Sequence, residues 1–180
     1  NTVILAPTGV AAINAGGQTI HSFFHLPFGP FVVNDKRLRT SKDLGDLDNT
    51  TIYSTFKYRD DKKIIIEQLE LLIIDEISMV RCDTLDVIDK ILRVFRKKPF
   101  LPFGGVQVIL IGDTFQLPPI ADFAQWEILK DYYDSPFFFS SKIVAENKPI
   151  YIELKKIYRQ KEQEFIDLLN KIRTDEINEF

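Results

Sequence analysis

The stretch LLIIDEIS, residues 71–78, is the part of the sequence that most directly indicates an α/β fold. Its apolar start predicts a strand at residues 71–75, LLIID, covered on both faces, as strands of parallel sheets are. Asp75 and Glu76 lie at the carboxyl end of that strand, where open α/β sheets bind their ligands. The stretch therefore predicts an acidic site at a sheet edge. The alternative is a strand that ends in two acids because the chain there enters water.

Strands and helices alternate along the rest of the chain. Three further apolar runs predict buried strands: TVILA at residues 2–6, VQVILIG at 106–112 and PIYIEL at 149–154. Helical spacing of apolar residues is found at 9–15, 83–97 and 163–172, with Gly16-Gly17 ending the first helix and Asp83 capping the second. The alternation predicts one α/β domain over residues 1–180, with a mainly parallel sheet and helices on both faces. Residues 28–63 have little periodicity and predict an insertion or surface excursion, whose basic residues favour a solvated surface over a nucleic-acid contact.

Composition narrows the class of protein. The chain has 180 residues and a net charge of -3, so it is the size of one domain and is not a highly basic nucleic-acid coat protein. Its single cysteine, Cys82, excludes a disulfide framework within the chain. No apolar run is close to the length of about 20 residues that is needed to cross a bilayer, so we expect no membrane-spanning segment. The sequence starts inside an apolar run without Met or a signal peptide. We therefore expect a fragment of an intracellular protein, with the bacterial cytoplasm favoured over the nucleus or mitochondrion.

Polar residues suited to phosphate chemistry follow two other predicted strands. Gln116 comes after the strand at 106–112 and before a Pro-Pro turn, and its amide can both donate and accept hydrogen bonds to a phosphate or a water. Arg159 follows the run at 149–154, where an arginine can stabilise charge in phosphoryl transfer. An arginine at a helix start is by itself a weak signal, because most such residues are simply surface.

Residues 6–24, APTGVAAINAGGQTIHSFF, suit contact with a nucleic-acid backbone. Thr8 and Gly9 lie where a strand turns into a helix, and helix-start amides and hydroxyls bind phosphates well. His21 adds a polar ring. Phe23 and Phe24 could stack on unpaired bases, but core packing is favoured for both.

Together these segments resemble the Pif (petite integration frequency) family of DNA helicases, RecD-like motors that move 5′ to 3′ on single-stranded DNA. The resemblance runs from about Thr2 to Arg173 and rests on segments resembling the family's motifs Ia, II, III and IV and its signature segment. In this sequence they read APTGVAAINAGGQTIHSFF, LLIIDEISMV, GDTFQLPPI, LKKIYRQ and SMVRCDTLDVIDKILRVFR. The resemblance implies a RecA-like phosphate-loop NTPase fold that uses ATP and Mg²⁺. It also implies single-stranded and forked or structured DNA as partners, in replication, repair, recombination or telomere maintenance.

The resemblance also implies roles for individual residues. Asp75 would coordinate magnesium, and Glu76 would be the catalytic base. Gln116 would couple the γ-phosphate to the DNA site, and Arg159 would contact the γ-phosphate. The candidates for the DNA backbone face are Pro7, Thr8, Gly9 and His21.

The sequence departs from the family in one important way. No Gly-rich phosphate loop of the form GxxxxGK[ST] occurs in the 180 residues, and the second motor domain is missing. We therefore expect a first motor domain truncated at its N-terminus, catalytically inactive alone, from a parent protein that is an ATP-dependent DNA helicase. Two alternatives remain open: a metal-dependent nuclease or phosphohydrolase using Asp75, Glu76 and Asp113, and a non-catalytic DNA-binding module.

Overall fold

Four parallel strands form one sheet in the order β2-β1-β3-β4. The strands are β1 (Thr2–Ala6), β2 (Gln18–Thr19), β3 (Leu71–Ile74) and β4 (Gln107–Leu110). This computed structural model describes residues 1–40, 50–154, 156, 158 and 163–173. Ile4 of β1 is in register with Ile73 of β3, which is in turn in register with Ile109 of β4. The predicted α/β class with a parallel sheet is confirmed, as are the strands predicted at 2–6, 71–75 and 106–112, which are present as β1, β3 and β4.

Eight α-helices lie in the described part of the chain. They are α1 (Gly9–Asn14), α2 (Ile20–Phe24), α3 (Ile52–Thr55), α4 (Asp60–Glu67), α5 (Cys82–Phe95), α6 (Phe123–Leu129), α7 (Lys142–Glu146) and α8 (Gln163–Arg173). Short 3-10 turns add Lys36–Leu38, Ile77–Met79, Pro102–Gly105 and Phe138–Ser140. The three helices predicted from apolar spacing are thus present as α1, α5 and α8.

Helix α5 supplies much of the core. Leu85, Ile88, Leu92 and Phe95, which set its predicted spacing, are all buried and pack in one cluster with the sheet. Apolar residues three and four positions apart share one helix face, so this face is removed from water as a unit.

The end of α1 is set by two glycines. The Gly16 amide donates to the Ile13 carbonyl and the Gly17 amide to the Ala12 carbonyl, and Gly16 has a φ of +68°. This is the hydrogen-bond pattern of a Schellman cap, which a glycine in the left-handed region completes without steric cost. Gly17 also lies directly against β1, because a Cβ there would be 2.1 Å from the Ile4 carbonyl oxygen.

Two sequence predictions are wrong. Residues 149–154 form no strand, although Ile150, Tyr151, Ile152 and Leu154 are apolar; these side chains are 77–93% exposed. An apolar run becomes a strand only where a neighbouring strand accepts its backbone hydrogen bonds, and none of the described strands pairs with residues 149–154. Asp83 does not cap α5 either, since Arg81 occupies the cap position.

Asp83 instead forms a buried ion pair that holds a distant turn. Its Oδ1 accepts from Arg81 Nε at 2.7 Å, and its Oδ2 accepts from the Phe31 amide at 2.8 Å. Arg81 also donates to the Gly29 carbonyl at 2.9 Å and to the Gln125 side chain. One ion pair therefore joins the start of α5, the turn at residues 29–31 and helix α6.

The described parts of residues 28–63 contribute both core and surface. Phe31, Ile52, Phe56 and Tyr58 belong to the main apolar cluster. Two of the basic residues predicted to lie on a solvated surface pack on rings instead: the Lys62 ammonium lies 3.2 Å from the centroid of the Phe23 ring, and the Arg37 guanidinium lies 4.2 Å from that of Phe31 and pairs with Asp35. Burial lowers the pKa of Lys62 to about 8. No helix in the described residues is long and apolar enough to cross a membrane.

Replacing Gly17 with alanine is expected to lower the free energy of unfolding by about 2–4 kcal/mol, because the new methyl group collides with the β1 backbone. Urea unfolding of the complete protein followed by circular dichroism measures this. The control is Gly9→Ala, since a Cβ at Gly9 meets nothing within 4 Å. Its expected effect is below about 0.5 kcal/mol, and equal effects of the two variants would contradict the close contact.

Asp83→Asn is expected to cost about 3 kcal/mol of unfolding free energy, because it leaves the Arg81 guanidinium buried without a counter-charge. The matched control is Asp61→Asn, which breaks an exposed ion pair with Arg59 and should change stability by less than about 0.5 kcal/mol. The same urea unfolding measures both. If Asp83→Asn lowers the free energy of unfolding no more than its control does, the Arg81–Asp83 pair is not effectively buried.

Candidate functional site at the carboxyl edge of the sheet

The carboxyl ends of all four strands meet at one edge of the sheet, because every pairing is parallel. The sequence-predicted site residues follow these ends: His21 after β2; Pro7, Thr8 and Gly9 after β1; Asp75 and Glu76 after β3; Asp113 and Gln116 after β4. The strand order places the DNA-face candidates along one half of the edge and the acidic candidates along the other. Arg159, the remaining predicted site residue, lies outside the described residues.

The acidic turn is tied to the sheet and has an unusual backbone. The Asp75 amide donates to the Leu5 carbonyl of β1 at 2.8 Å, which continues the β1–β3 ladder by one residue. The Asp75 Oδ1 atom accepts from the Glu76 amide at 2.9 Å, so one carboxylate oxygen is fixed and the other has no partner among the described residues. Glu76 is in the left-handed region, with φ 52° and ψ 45°. A non-glycine residue held there costs about 1–3 kcal/mol, and such strain is concentrated at functional sites.

The loop after β4 lies against this turn. The Ile77 amide donates to the Ile111 carbonyl at 2.9 Å. Gly112 approaches so closely that a Cβ there would be 2.9 Å from the Ile77 nitrogen. Beyond Gly112, the carboxylate of Asp113 accepts from the Gln116 side-chain amide at 3.3 Å. Gln116 is exposed, so its amide is accessible from solvent.

Two short helices, α1 and α2, begin at the DNA-face half of the edge. Thr8 is the N-cap of α1, and its hydroxyl accepts from the Ala11 amide at 3.2 Å. His21, in α2, stacks on Phe28 with ring centroids 5.5 Å apart and an interplanar angle of 21°. Burial, followed by the nearby Arg81 guanidinium, lowers the pKa of His21, which favours the neutral ring at pH 7. Phe23 and Phe24 are buried, which confirms the prediction that they pack in the core.

Phe28 is the residue of this half that sequence reasoning missed. Its ring is 90% exposed, and it immediately precedes the turn at residues 29–31 that Arg81 and Asp83 hold. His25 ends α2 in the left-handed region, with φ 50°, and so redirects the chain toward that turn. A Pro-Phe-Gly sequence signals a turn, but nothing local in it indicates a ring stacked on His21.

The acidic residues do not form a closed metal centre. In the part of the chain that the structure describes, no group of three or more His, Cys, Asp or Glu side chains is arranged to hold a metal ion. Asp75 therefore offers one carboxylate, which fits a magnesium ion whose other ligands are water and substrate phosphates. A single carboxylate does not make the multi-carboxylate centre that the nuclease alternative requires.

A separate cavity of about 850 Å³ lies between the segment 31–39, α5 and α7. Three of its carboxylates are already bonded within the protein: Asp83 to Arg81, Asp89 to Arg93, and Asp86 to two backbone amides and the Tyr133 hydroxyl. Burial raises the pKa of Asp86 and that of Asp89. These groups stabilise the walls of the cavity, and the predicted site residues are not among its lining.

Comparison with known proteins places this arrangement in a family. The model of the PIF1-like helicase family matches residues 1–180. The ATP-dependent DNA helicase RRM3 of Saccharomyces cerevisiae is 35% identical over 176 residues, which is 97% of this chain and 21% of that protein. The human ATP-dependent DNA helicase PIF1 is 33% identical over 177 residues, covering 96% of this chain and 23% of that protein. The chain thus spans about a fifth of the length of these relatives.

Solved structures agree. The Pif1 helicase from Bacteroides, in complex with ADP-AlF3 and ssDNA, is 46% identical and superimposes with a TM-score of 0.84 over 99% of this chain and 37% of that one. Pif1 from Candida albicans is 32% identical, with a TM-score of 0.72, over 96% of this chain and 34% of that one. The predicted RecA-like α/β fold and the family resemblance are confirmed. The chain belongs to the PIF1-like helicase family.

Proposed function

We propose that the complete protein containing this chain is an ATP-dependent DNA helicase that moves 5′ to 3′ on single-stranded DNA. The observation that carries the proposal is the single sheet edge on which DNA-face residues and acidic residues lie side by side. The helicase relatives support it, and so does the Bacteroides structure with ADP-AlF3 and ssDNA. In this proposal residues 1–180 are part of the first of two motor domains, and 28–63 form an insertion within it.

The acidic half serves ATP hydrolysis. The Asp75 oxygen that has no partner among the described residues would hold magnesium, which when bound neutralises charge on the substrate phosphates. Glu76, in the turn directly after β3, orients and deprotonates the attacking water. Gln116 contacts the γ-phosphate through its amide, and Arg159 stabilises the charge that develops there.

The other half serves DNA. The Thr8 hydroxyl and the amides at the start of α1 suit a backbone phosphate, beside Pro7 and Gly9. The neutral His21 ring and the exposed Phe28 ring present flat faces on which unpaired bases can stack. We infer that the substrate is single-stranded DNA continuous with forked or structured DNA, and hence that the protein acts inside the cell.

The two halves are joined by backbone. Leu5 accepts from the Asp75 amide, and two residues later the same strand leads into Pro7 and Thr8. A shift of the acidic turn therefore acts directly on the strand that presents the DNA-face residues. This short path is the physical basis on which ATP turnover and DNA contact are coupled in the proposal.

The isolated chain should not hydrolyse ATP. Its sequence has no phosphate loop whose amides and lysine would cradle the β- and γ-phosphates. The nuclease alternative is not favoured, because the described carboxylates form no multi-ligand metal group. A non-catalytic DNA-binding role offers no reason for Asp75 to keep a fixed and an available oxygen beside the strained Glu76.

Glu76→Gln in the complete protein is expected to lower ssDNA-stimulated ATP turnover at least about a hundredfold, because the amide cannot accept the proton of the attacking water. Steady-state phosphate release with and without ssDNA measures it. The matched control is Glu67→Gln, an exposed residue at the end of α4, which should leave turnover unchanged. A wild-type protein that shows no DNA-stimulated turnover would contradict the proposed function.

His21→Asn is expected to weaken ssDNA binding about tenfold, because it removes the ring stacked on Phe28 while leaving a polar side chain. Fluorescence anisotropy with a labelled oligonucleotide measures the affinity. The control is His25→Asn, because asparagine tolerates the left-handed backbone at that position. Equal affinity of the two variants for ssDNA would show that His21 does not contact the DNA.

A further inference from the structure

The Ser78 hydroxyl group has no hydrogen-bond partner among the described residues. The Ser78 side chain is buried, with the residue 1% exposed, and its Oγ is the one buried side-chain polar atom in the described residues that makes no hydrogen bond. Buried polar groups in folded proteins nearly always have partners, and an exception calls for a physical explanation. Ser141 is a useful comparison within the same chain, since it is also fully buried but accepts from the Val144 amide as the N-cap of α7.

The position of Ser78 relates it to the candidate site. It lies in the 3-10 turn Ile77–Met79, which begins immediately after the strained Glu76. The loop after β4 packs on the same turn, because a Cβ on Gly112 would be 3.3 Å from the Ser78 nitrogen. The turn and the loop are also joined by the hydrogen bond from Ile77 to Ile111. Gly112, the first residue of the segment 112–116 that carries Gln116, therefore lies against the backbone of Ser78.

With no protein partner among the described residues, the hydroxyl lowers the stability of this arrangement, because burial removes it from bulk water. A side chain that served packing alone would do better as alanine. The unpaired hydroxyl is explained if a partner reaches it in another state. The segment 112–116 is the candidate, since Gln116 in that segment is proposed to contact the γ-phosphate.

We propose that Ser78 is a positioning residue for ATP hydrolysis. In the nucleotide-bound protein its hydroxyl forms a hydrogen bond with the segment 112–116. That bond holds the Glu76 turn and the Gln116 loop in one arrangement during hydrolysis. The inference rests on the proposed ATPase function and assigns to Ser78 a role between the Glu76 turn and the Gln116 loop.

The test is Ser78→Ala in the complete protein, with two readouts. Without nucleotide, the melting temperature is expected to rise by about 2 °C, because the variant removes an unpaired buried hydroxyl. With ATP and ssDNA, kcat is expected to fall about tenfold, the effect of one lost hydrogen bond in the reacting state, while KM for ATP and ssDNA affinity stay within twofold. Stabilisation combined with loss of turnover is the signature of this role.

Ser141→Ala is the matched control, expected to lower the melting temperature by about 2 °C and to leave kcat unchanged, because its hydroxyl already caps α7. Unchanged kcat in Ser78→Ala would overturn the inference. So would a melting temperature that falls as in the control, because the hydroxyl would then have its partner before nucleotide binds. A wild-type protein without ssDNA-stimulated turnover would instead contradict the proposed function itself, and this inference with it.

Discussion

The parallel pairing of β1 with β3 is the constraint on which the rest of the structure depends. It extends through the hydrogen bond from the Asp75 amide to the Leu5 carbonyl, so the segments that follow the two strands leave the sheet side by side. Because parallel strands end on the same edge, residues separated by more than sixty positions, such as Thr8 and Asp75, are brought to one surface. An antiparallel arrangement of the same segments would place them at opposite ends of the sheet.

Two features that cost stability lie in one turn of this edge. Glu76 is held in the left-handed region, and the Ser78 hydroxyl has no partner among the described residues. Each feature lowers stability, and the surrounding β3–β4 pairing and the buried face of α5 offset it. Proteins generally accept such local cost where an active site needs it, and here both features fall in the segment that carries the acids.

Sequence reasoning reached those parts of the fold that have a local signature. The apolar runs gave β1, β3 and β4, and apolar spacing gave α1, α5 and α8. It missed β2, because Gln18 and Thr19 are polar and the strand exists only through its pairing with β1. It mistook Asp83 for a helix cap, because a cap and a buried ion-pair partner look alike when Arg81 and Phe31 cannot be seen in space. The stack of His21 on Phe28 was equally inaccessible, since it depends on the backbone turn at His25.

The strand order also has a consequence for how the protein is made. β1 leaves the ribosome long before β3, its partner in the centre of the sheet, and at about 5–20 residues per second the wait lasts for seconds. Until then TVILA is an uncharged, β-prone segment without its β3 partner. Among the described strands, the one that pairs with β1 and emerges before β3 is the two-residue β2, which covers one end of β1. The nascent chain is therefore prone to aggregate through TVILA during this interval, when a chaperone that binds short apolar segments would help it.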